Sequence, residues 1–182
     1  MSLWTSDRKA REVWTAATTR PAELRFERTR ASRGKFWGWP RINFKQLPGG
    51  TLVAYTDEHR RFVLAGEETT FVPRGRGLHH ASSGDQVCGM HGDHLTLKSG
   101  ERWHIRKHGR GLSLFPDAKW EVWELIADDG QPVGAFWRDG GDSKEIGEIA
   151  VYEARRLPDH YPVVLAFAYE HFHPANSSVT LA

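Results

Sequence analysis

The chain has 182 residues, enough for one domain and too few for two of ordinary size. Hydrophobic residues make up 39% and aromatic residues 12%, so a sizeable core is expected and intrinsic disorder is not. The formal net charge is +2, with basic and acidic residues mixed, which argues against a nucleic-acid-binding protein. The lone cysteine, Cys88, excludes an internal disulfide and is typical of a reducing compartment.

Residues 1–20 are predicted to form a short helix or a tail. Ser6 or Asp7 can cap a helix that runs to about Thr18, and Pro21 ends it. Its apolar content is thin, so a frayed tail is the alternative. The N-terminus lacks the apolar run of a signal peptide, and the longest apolar stretch, residues 162–169, is far shorter than the ~20 residues of a spanning helix. We therefore expect a cytoplasmic protein without a transmembrane segment.

From residue 24 the hydrophobic period changes to two, which predicts β-strands. Apolar and polar side chains alternate in residues 24–30 and 41–47, and a Pro-Gly-Gly turn joins the second of these to residues 51–56 as a hairpin. Further strands are predicted at residues 60–66, 68–75, 94–98, 102–107, 111–115, 119–127, 132–138 and 145–155. The Gly-rich interval 74–92 is predicted to be a polar loop. About ten short strands without intervening helices predict a closed or nearly closed antiparallel barrel, or a sandwich, in one domain over residues 21–182.

The last predicted element is a short apolar helix near the C-terminus. Pro162 is tolerated in its first turn, and residues 163–169 are apolar on nearly every face. A helix that is apolar all round must be buried on every side, so we expect the sheet to enclose it. One more buried strand is the alternative for so short a run.

The last third of the chain resembles the tubby C-terminal-like group, which includes the scramblase and LURP-one-related proteins. The segments that carry the resemblance are WEVWELIADDGQPVGAFWR (120–138), EIGEIAVYEARRLPDHYP (145–162) and the apolar helix that follows. They are similar to the late hairpin, the last strand and the central helix of that group. The resemblance implies a closed antiparallel barrel around a hydrophobic C-terminal helix.

The same resemblance implies a non-enzymatic binding module without a cofactor. Its ligand would be an anionic lipid head group, a phosphate ligand or a protein partner, and a lipid ligand would make the protein membrane-peripheral. No segment matches the residues with which tubby proteins contact lipid, so no site residue is carried over.

Two basic segments are candidates for binding an anionic ligand. Arg74 and Arg76 flank a glycine in a predicted loop, where two guanidinium groups and backbone N–H groups could hold a phosphate. The second segment contains the basic residues Arg41 and Lys45. Beside them the rings of Trp37 and Trp39 could add a stacking surface. The alternative is a solvated rim of mixed charge around the barrel.

A second hypothesis rests on the histidines of segment 79–108, which contains six of the ten in the chain. His91 and His94, with His104 or His108 from the facing hairpin strand, could bind zinc, for which imidazole is a common ligand. Such a site would make the protein a small metal-dependent enzyme or a ligand-binding barrel of another family. The spacing matches no strong metal signature, and surface histidines without a ligand are the alternative. A central helix leaves little room for a ligand inside the barrel, which favours the binding module.

Overall fold

Twelve β-strands and one α-helix make up the part of the chain that the computed structural model describes, residues 15–16, 21–30, 41–112, 119–140 and 146–172. The strands are β1 (Leu24–Arg30), β2 (Ile42–Leu47), β3 (Thr51–Thr56), β4 (Phe62–Leu64), β5 (Thr69–Arg74), β6 (Gly77–His80), β7 (Gln86–His91), β8 (His94–Leu97), β9 (Arg102–Leu112), β10 (Lys119–Ala127), β11 (Pro132–Gly140) and β12 (Ile146–Val151). A 3-10 turn, Ala154–Arg156, leads to the helix α1, Tyr161–Phe172. All but two residues of the predicted N-terminal helix lie outside the described ranges, so that helix stays a prediction.

The strands form a closed antiparallel barrel, as the sequence predicts. Each strand pairs with its neighbour in the chain, and β1 pairs with β12, with Phe26 opposite Ile149. Closure leaves no unpaired edge, because the first and last strands satisfy each other's backbone groups. The same closure creates one interior, in which the alternate side chains of every strand meet.

The Gly-rich interval 74–92, predicted as a loop, contains the strands β6 and β7, which corrects that prediction. Leu78 and Met90 are buried in the core and supply the inward face of the two strands. The outward face includes Gly77 and Gly89, which lie opposite each other beneath the side chain of Gln86. A Cβ at these glycines would lie 2.9 and 2.5 Å from the Gln86 amide nitrogen, so the exposed Gln86 side chain lies over both glycines and would have to turn aside for a larger residue.

The helix α1 occupies the interior of the barrel. Residues 163–169 are all buried, which explains why every face of the helix is apolar. Phe167 meets Phe62 of β4 with ring centroids 5.8 Å apart, while Tyr169 meets Phe44 of β2 at 6.2 Å and Phe136 of β11 at 5.7 Å. Contacts with strands from different parts of the sheet place the helix at the centre and exclude the alternative of a further strand. No helix among the described residues is both long and apolar enough to cross a membrane.

Two further contacts hold α1 against the strands that close the barrel. Arg28 of β1 is 1% exposed, and its Nε donates to Glu170 Oε1 at 2.6 Å while Nη2 donates to Oε2 at 3.3 Å. Gly147 of β12 lies beneath Tyr169, whose hydroxyl oxygen is 1.9 Å from the position that a Cβ on Gly147 would occupy. These contacts fix both the depth and the rotation of the helix in the barrel.

Candidate functional site

The barrel has two ends, and the candidate functional residues divide between them. After β12 the chain turns back into α1, and residues 155–160 line one cavity with the β6–β7 and β8–β9 turns; this is the helix-entry end. The last turn of α1 lies at the opposite end, where His171 is close to Arg76 of the β5–β6 turn. Because successive strands are antiparallel, the β3–β4 and β7–β8 turns also belong to this helix-exit end.

A cavity of about 700 Å³ opens at the helix-entry end. Its charged lining residues are balanced, with Lys98, Arg155 and Arg156 facing Asp85, Glu101 and Asp159. Two imidazoles of the wall, His80 and His160, pack on Phe71 with ring centroids 5.2 and 5.3 Å away. Sequence reasoning missed this cavity because its residues come from separate turns, each of which is explained locally by turn chemistry.

Arg156 ties the wall of this cavity to neighbouring turns. Its Nε donates to Glu153 at 2.8 Å, its Nη2 donates to Asp129, and its Nη1 lies 3.8 Å from Glu101. These hydrogen bonds raise the pKa of Arg156 and in turn lower the pKa of Asp129 and of Glu153. Three carboxylates already surround the positive charge of Arg156. Arg156 therefore stabilises the wall of the cavity and is a poor candidate for binding an anionic ligand.

Arg74 and Arg76 lie at the helix-exit end, on either side of Gly75 in the β5–β6 turn. Gly75 has a φ of 59°, a conformation in which glycine meets no steric penalty. Both arginine side chains are exposed, and neither forms an ion pair with a described residue. Desolvation, and after it the charge of Arg76, lowers the pKa of His171, so Arg76 lies within electrostatic range of the end of α1.

The other predicted basic residues, Arg41 and Lys45, are separated by the structure. Arg41 precedes β2, where its guanidinium carbon lies 3.8 Å from the centroid of the Tyr55 ring and its Nε donates to Asn43 Oδ1 at 3.1 Å. Lys45 lies further along β2, opposite Glu27 of β1.

Arg41 therefore shares the helix-exit end with Arg74 and Arg76, with β3 and β4 between them, whereas Lys45 belongs to the barrel wall. Trp37 and Trp39, the rings of the predicted stacking surface, lie outside the described residues.

Two of the three predicted metal ligands, His94 and His104, converge at the β7–β8 turn. They lie directly opposite each other on β8 and β9, with His94 Nε2 3.2 Å from His104 Nδ1. Asp93 completes the cluster, with Oδ1 2.7 Å from His94 Nδ1 and Oδ2 3.3 Å from His104 Nδ1. His91 lies opposite His94 on β7 but is not among these converging side chains. We call Asp93, His94 and His104 the hairpin cluster.

Asp93 is not among the ligands that the sequence predicts. An Asp beside a Gly between two strands is fully explained as a hairpin turn, and Gly92 has the positive φ, 64°, that such a tight turn uses. The hairpin pattern could have identified Asp93 from the sequence. A two-residue turn places its second residue, Asp93, next to the first residue of the following strand, His94. Predicting a contact with His104 would also have required the register of β9.

The hairpin cluster has the donor atoms of a transition-metal site, two imidazole nitrogens and a carboxylate oxygen. The side chains of His94, Asp93 and His104 are 39, 56 and 37% exposed, so the site is open to solvent. Cys88 is not a further donor, because it is buried in the core opposite Leu97 and lies on the other face of the sheet from His94.

Comparison of the chain with models of protein families, with curated proteins and with solved structures finds no match. The features of this chain that bear on its function are therefore the barrel, the charged groups at its two ends and the hairpin cluster.

Proposed function

We propose that the protein is a non-enzymatic binding module of tubby-like type that binds a phosphate-bearing anion at the helix-exit end. The observation that carries the proposal is the central position of α1, whose residues 163–169 are all buried. A barrel filled by its own helix has no interior site for a substrate, so a ligand has to bind at an end or on the outer wall. A closed barrel around a hydrophobic C-terminal helix is also the architecture that the resemblance to the tubby-like group implies.

The exposed arginines Arg74 and Arg76 favour the helix-exit end for an anion. At the helix-entry end the cavity has as many carboxylates as cations, and Arg156 is already bound to its neighbours. At the helix-exit end Arg74 and Arg76 are exposed and form no ion pair within the described part of the chain. A pair of guanidinium groups can bind phosphate oxygens in a bidentate manner, and such charge-assisted hydrogen bonds are about twice as strong as neutral ones.

Arg41 extends this basic surface along the rim. Its guanidinium group is held over Tyr55 at 3.8 Å and hydrogen-bonds Asn43, so it is positioned before any ligand arrives. Preorganised cations lose less conformational entropy on binding than free ones do. The three arginines together form the proposed site, which we call the arginine rim (Arg41, Arg74 and Arg76).

The proposal is tested by binding to vesicles and to a soluble phosphate. The full chain should sediment with phosphatidylcholine vesicles that contain phosphatidic acid and not with phosphatidylcholine alone, and binding should fall steeply with added salt. At ~1 kcal/mol for each basic residue near an anionic surface, the double variant Arg74→Gln/Arg76→Gln should bind roughly 30-fold more weakly. Titration with inositol hexakisphosphate distinguishes the source of the phosphate, because a free phosphate ligand binds without vesicles.

Arg106→Gln is the matched control for Arg74→Gln. Arg106 is an exposed arginine on β9 that follows the inward-facing Ile105, so its loss changes the net charge equally but lies away from the arginine rim. Thermal melting should be unchanged in both variants, because neither side chain packs against the core. Absence of binding to both probes, or equal weakening by Arg74→Gln and Arg106→Gln, would refute the proposed site.

A further inference from the structure

We infer that the hairpin cluster, Asp93, His94 and His104, is a binding site for a zinc-class divalent metal ion on the outer face of the barrel. The spacing of the two imidazoles carries the inference. A tetrahedral zinc ion with Zn–N bonds of about 2.0–2.1 Å holds two nitrogens about 3.3 Å apart. His94 Nε2 and His104 Nδ1 are 3.2 Å apart. This site uses no residue of the arginine rim and does not depend on the function proposed for it.

The contact between Asp93 and His94 favours the tautomer of the first imidazole that a metal ion needs. Asp93 Oδ1 lies 2.7 Å from His94 Nδ1, and an anionic oxygen at that distance favours the neutral tautomer of His94 that carries its proton on Nδ1 and its lone pair on Nε2. The lone pair of His94 therefore points towards His104, where the ion would be held.

His104 and the second carboxylate oxygen supply the other donor atoms. Without a metal, His104 Nδ1–H can donate to His94 Nε2; with a metal, His104 adopts the Nε2–H tautomer and presents the Nδ1 lone pair. Asp93 Oδ2 lies 3.3 Å from the same Nδ1 and is the third ligand atom. No net proton is released by this change of tautomer, and the carboxylate compensates part of the positive charge of the ion.

The backbone holds the ligands in place before the ion binds. His94 and His104 are directly paired across β8 and β9, and the Ile105 N–H donates to the Asp93 carbonyl oxygen at 2.7 Å. Ligands on strands and on a tight turn are held more precisely than ligands on a long loop. Two imidazoles with one carboxylate select zinc, cobalt, nickel or copper over magnesium and calcium, which prefer oxygen donors.

The test is metal titration of the untagged, metal-free full chain. We expect one Zn²⁺ per chain by calorimetry, and visible absorption from Co²⁺ that Zn²⁺ abolishes and Mg²⁺ does not. His94→Gln, His104→Gln and Asp93→Asn should each weaken Zn²⁺ binding roughly tenfold or more, the size of effect known for groups that orient or bind a metal. Because these side chains lie on the surface, metal-free melting curves should match that of the parent protein.

His59→Gln is the matched control. Like His94, His59 is a surface histidine beside an acidic residue, with Nδ1 3.8 Å from Glu58 Oε1, but no second imidazole belongs to that pair. Its replacement should leave Zn²⁺ affinity unchanged. A chain that shows no saturable Zn²⁺ binding, or that binds Zn²⁺ equally well after His94→Gln and His104→Gln, overturns the inference.

Discussion

Replacement of Gly147 by alanine should destabilise the protein by about 3 kcal/mol, because β12 and α1 leave no space for a methyl group. The added Cβ would lie 1.9 Å from the hydroxyl oxygen of Tyr169, 2.7 Å from its Cζ and 3.1 Å from the carbonyl oxygen of Trp137. Non-bonded carbon atoms settle at about 3.5–4.0 Å, so the ring would have to move by roughly 1 Å or more.

The surroundings of Tyr169 determine the size of this effect. The ring is fully buried and makes edge contacts with Phe44 and Phe136, so it cannot move without displacing other aromatic side chains. Overpacking a well-filled core costs about 1–3 kcal/mol, and a rigid ring between two strands belongs at the upper end of that range. For a chain of this size the melting temperature should fall by roughly 6–12 °C.

The assay is urea unfolding followed by tryptophan fluorescence, with a double-mutant cycle. Tyr169→Phe removes the atom closest to the new methyl group, so Gly147→Ala should cost about 1 kcal/mol less in that background. Gly49→Ala is the matched control, because a Cβ there would meet its nearest neighbour, Thr51 Oγ1, at an ordinary 3.7 Å. If Gly147→Ala is no more destabilising than Gly49→Ala, then Tyr169 does not pack on β12 and the central placement of α1 is wrong.

Two further predictions follow from buried groups. Glu170→Gln should cost about 3 kcal/mol in the same unfolding assay, because it removes the negative charge that contacts the guanidinium group of Arg28, which is 1% exposed; a loss below about 1 kcal/mol would contradict this. Folding raises the pKa of Cys88 from 9.0 to about 12, so the unfolded thiol ionises first and stability should fall as the pH rises above 9.0. The folded protein should also resist iodoacetamide at alkaline pH until urea is added, and rapid labelling without urea would show that Cys88 is accessible.

The barrel and its helix were predictable because their signals are local. Alternation along a strand and turn residues between strands specify a hairpin, and apolar residues on every face of a short helix require a surrounding sheet. The signal failed for β6 and β7, where Gly77, His79 and Gly89 occupy outward positions and interrupt the expected pattern. Their inward residues, such as Leu78 and Met90, are too few to reveal a strand without the neighbours against which they pack.

The candidate sites were predictable only in part because they depend on register. His94 and His104 could be paired from the hairpin that joins their strands, but the contact of Asp93 with both depends on the conformation of one turn. Arg41 and Lys45 are close in sequence, yet four residues of an extended strand separate them by roughly 13 Å. Arg41 and Arg74, far apart in sequence, share one end of the barrel because the intervening strands fold back and forth.

The position of α1 in the chain has a consequence for the order in which the protein can fold. All twelve strands precede the helix, yet Phe44, Phe62 and Phe136 complete their packing on it. During synthesis the strands are therefore translated before the helix that completes their core. Their inward-facing aromatic side chains stay exposed to water until residues 163–169 leave the ribosome. Pairing of β1 with β12 adds a second late event, because it joins residues that are more than a hundred positions apart. Folding of the whole barrel thus waits until α1 has been translated.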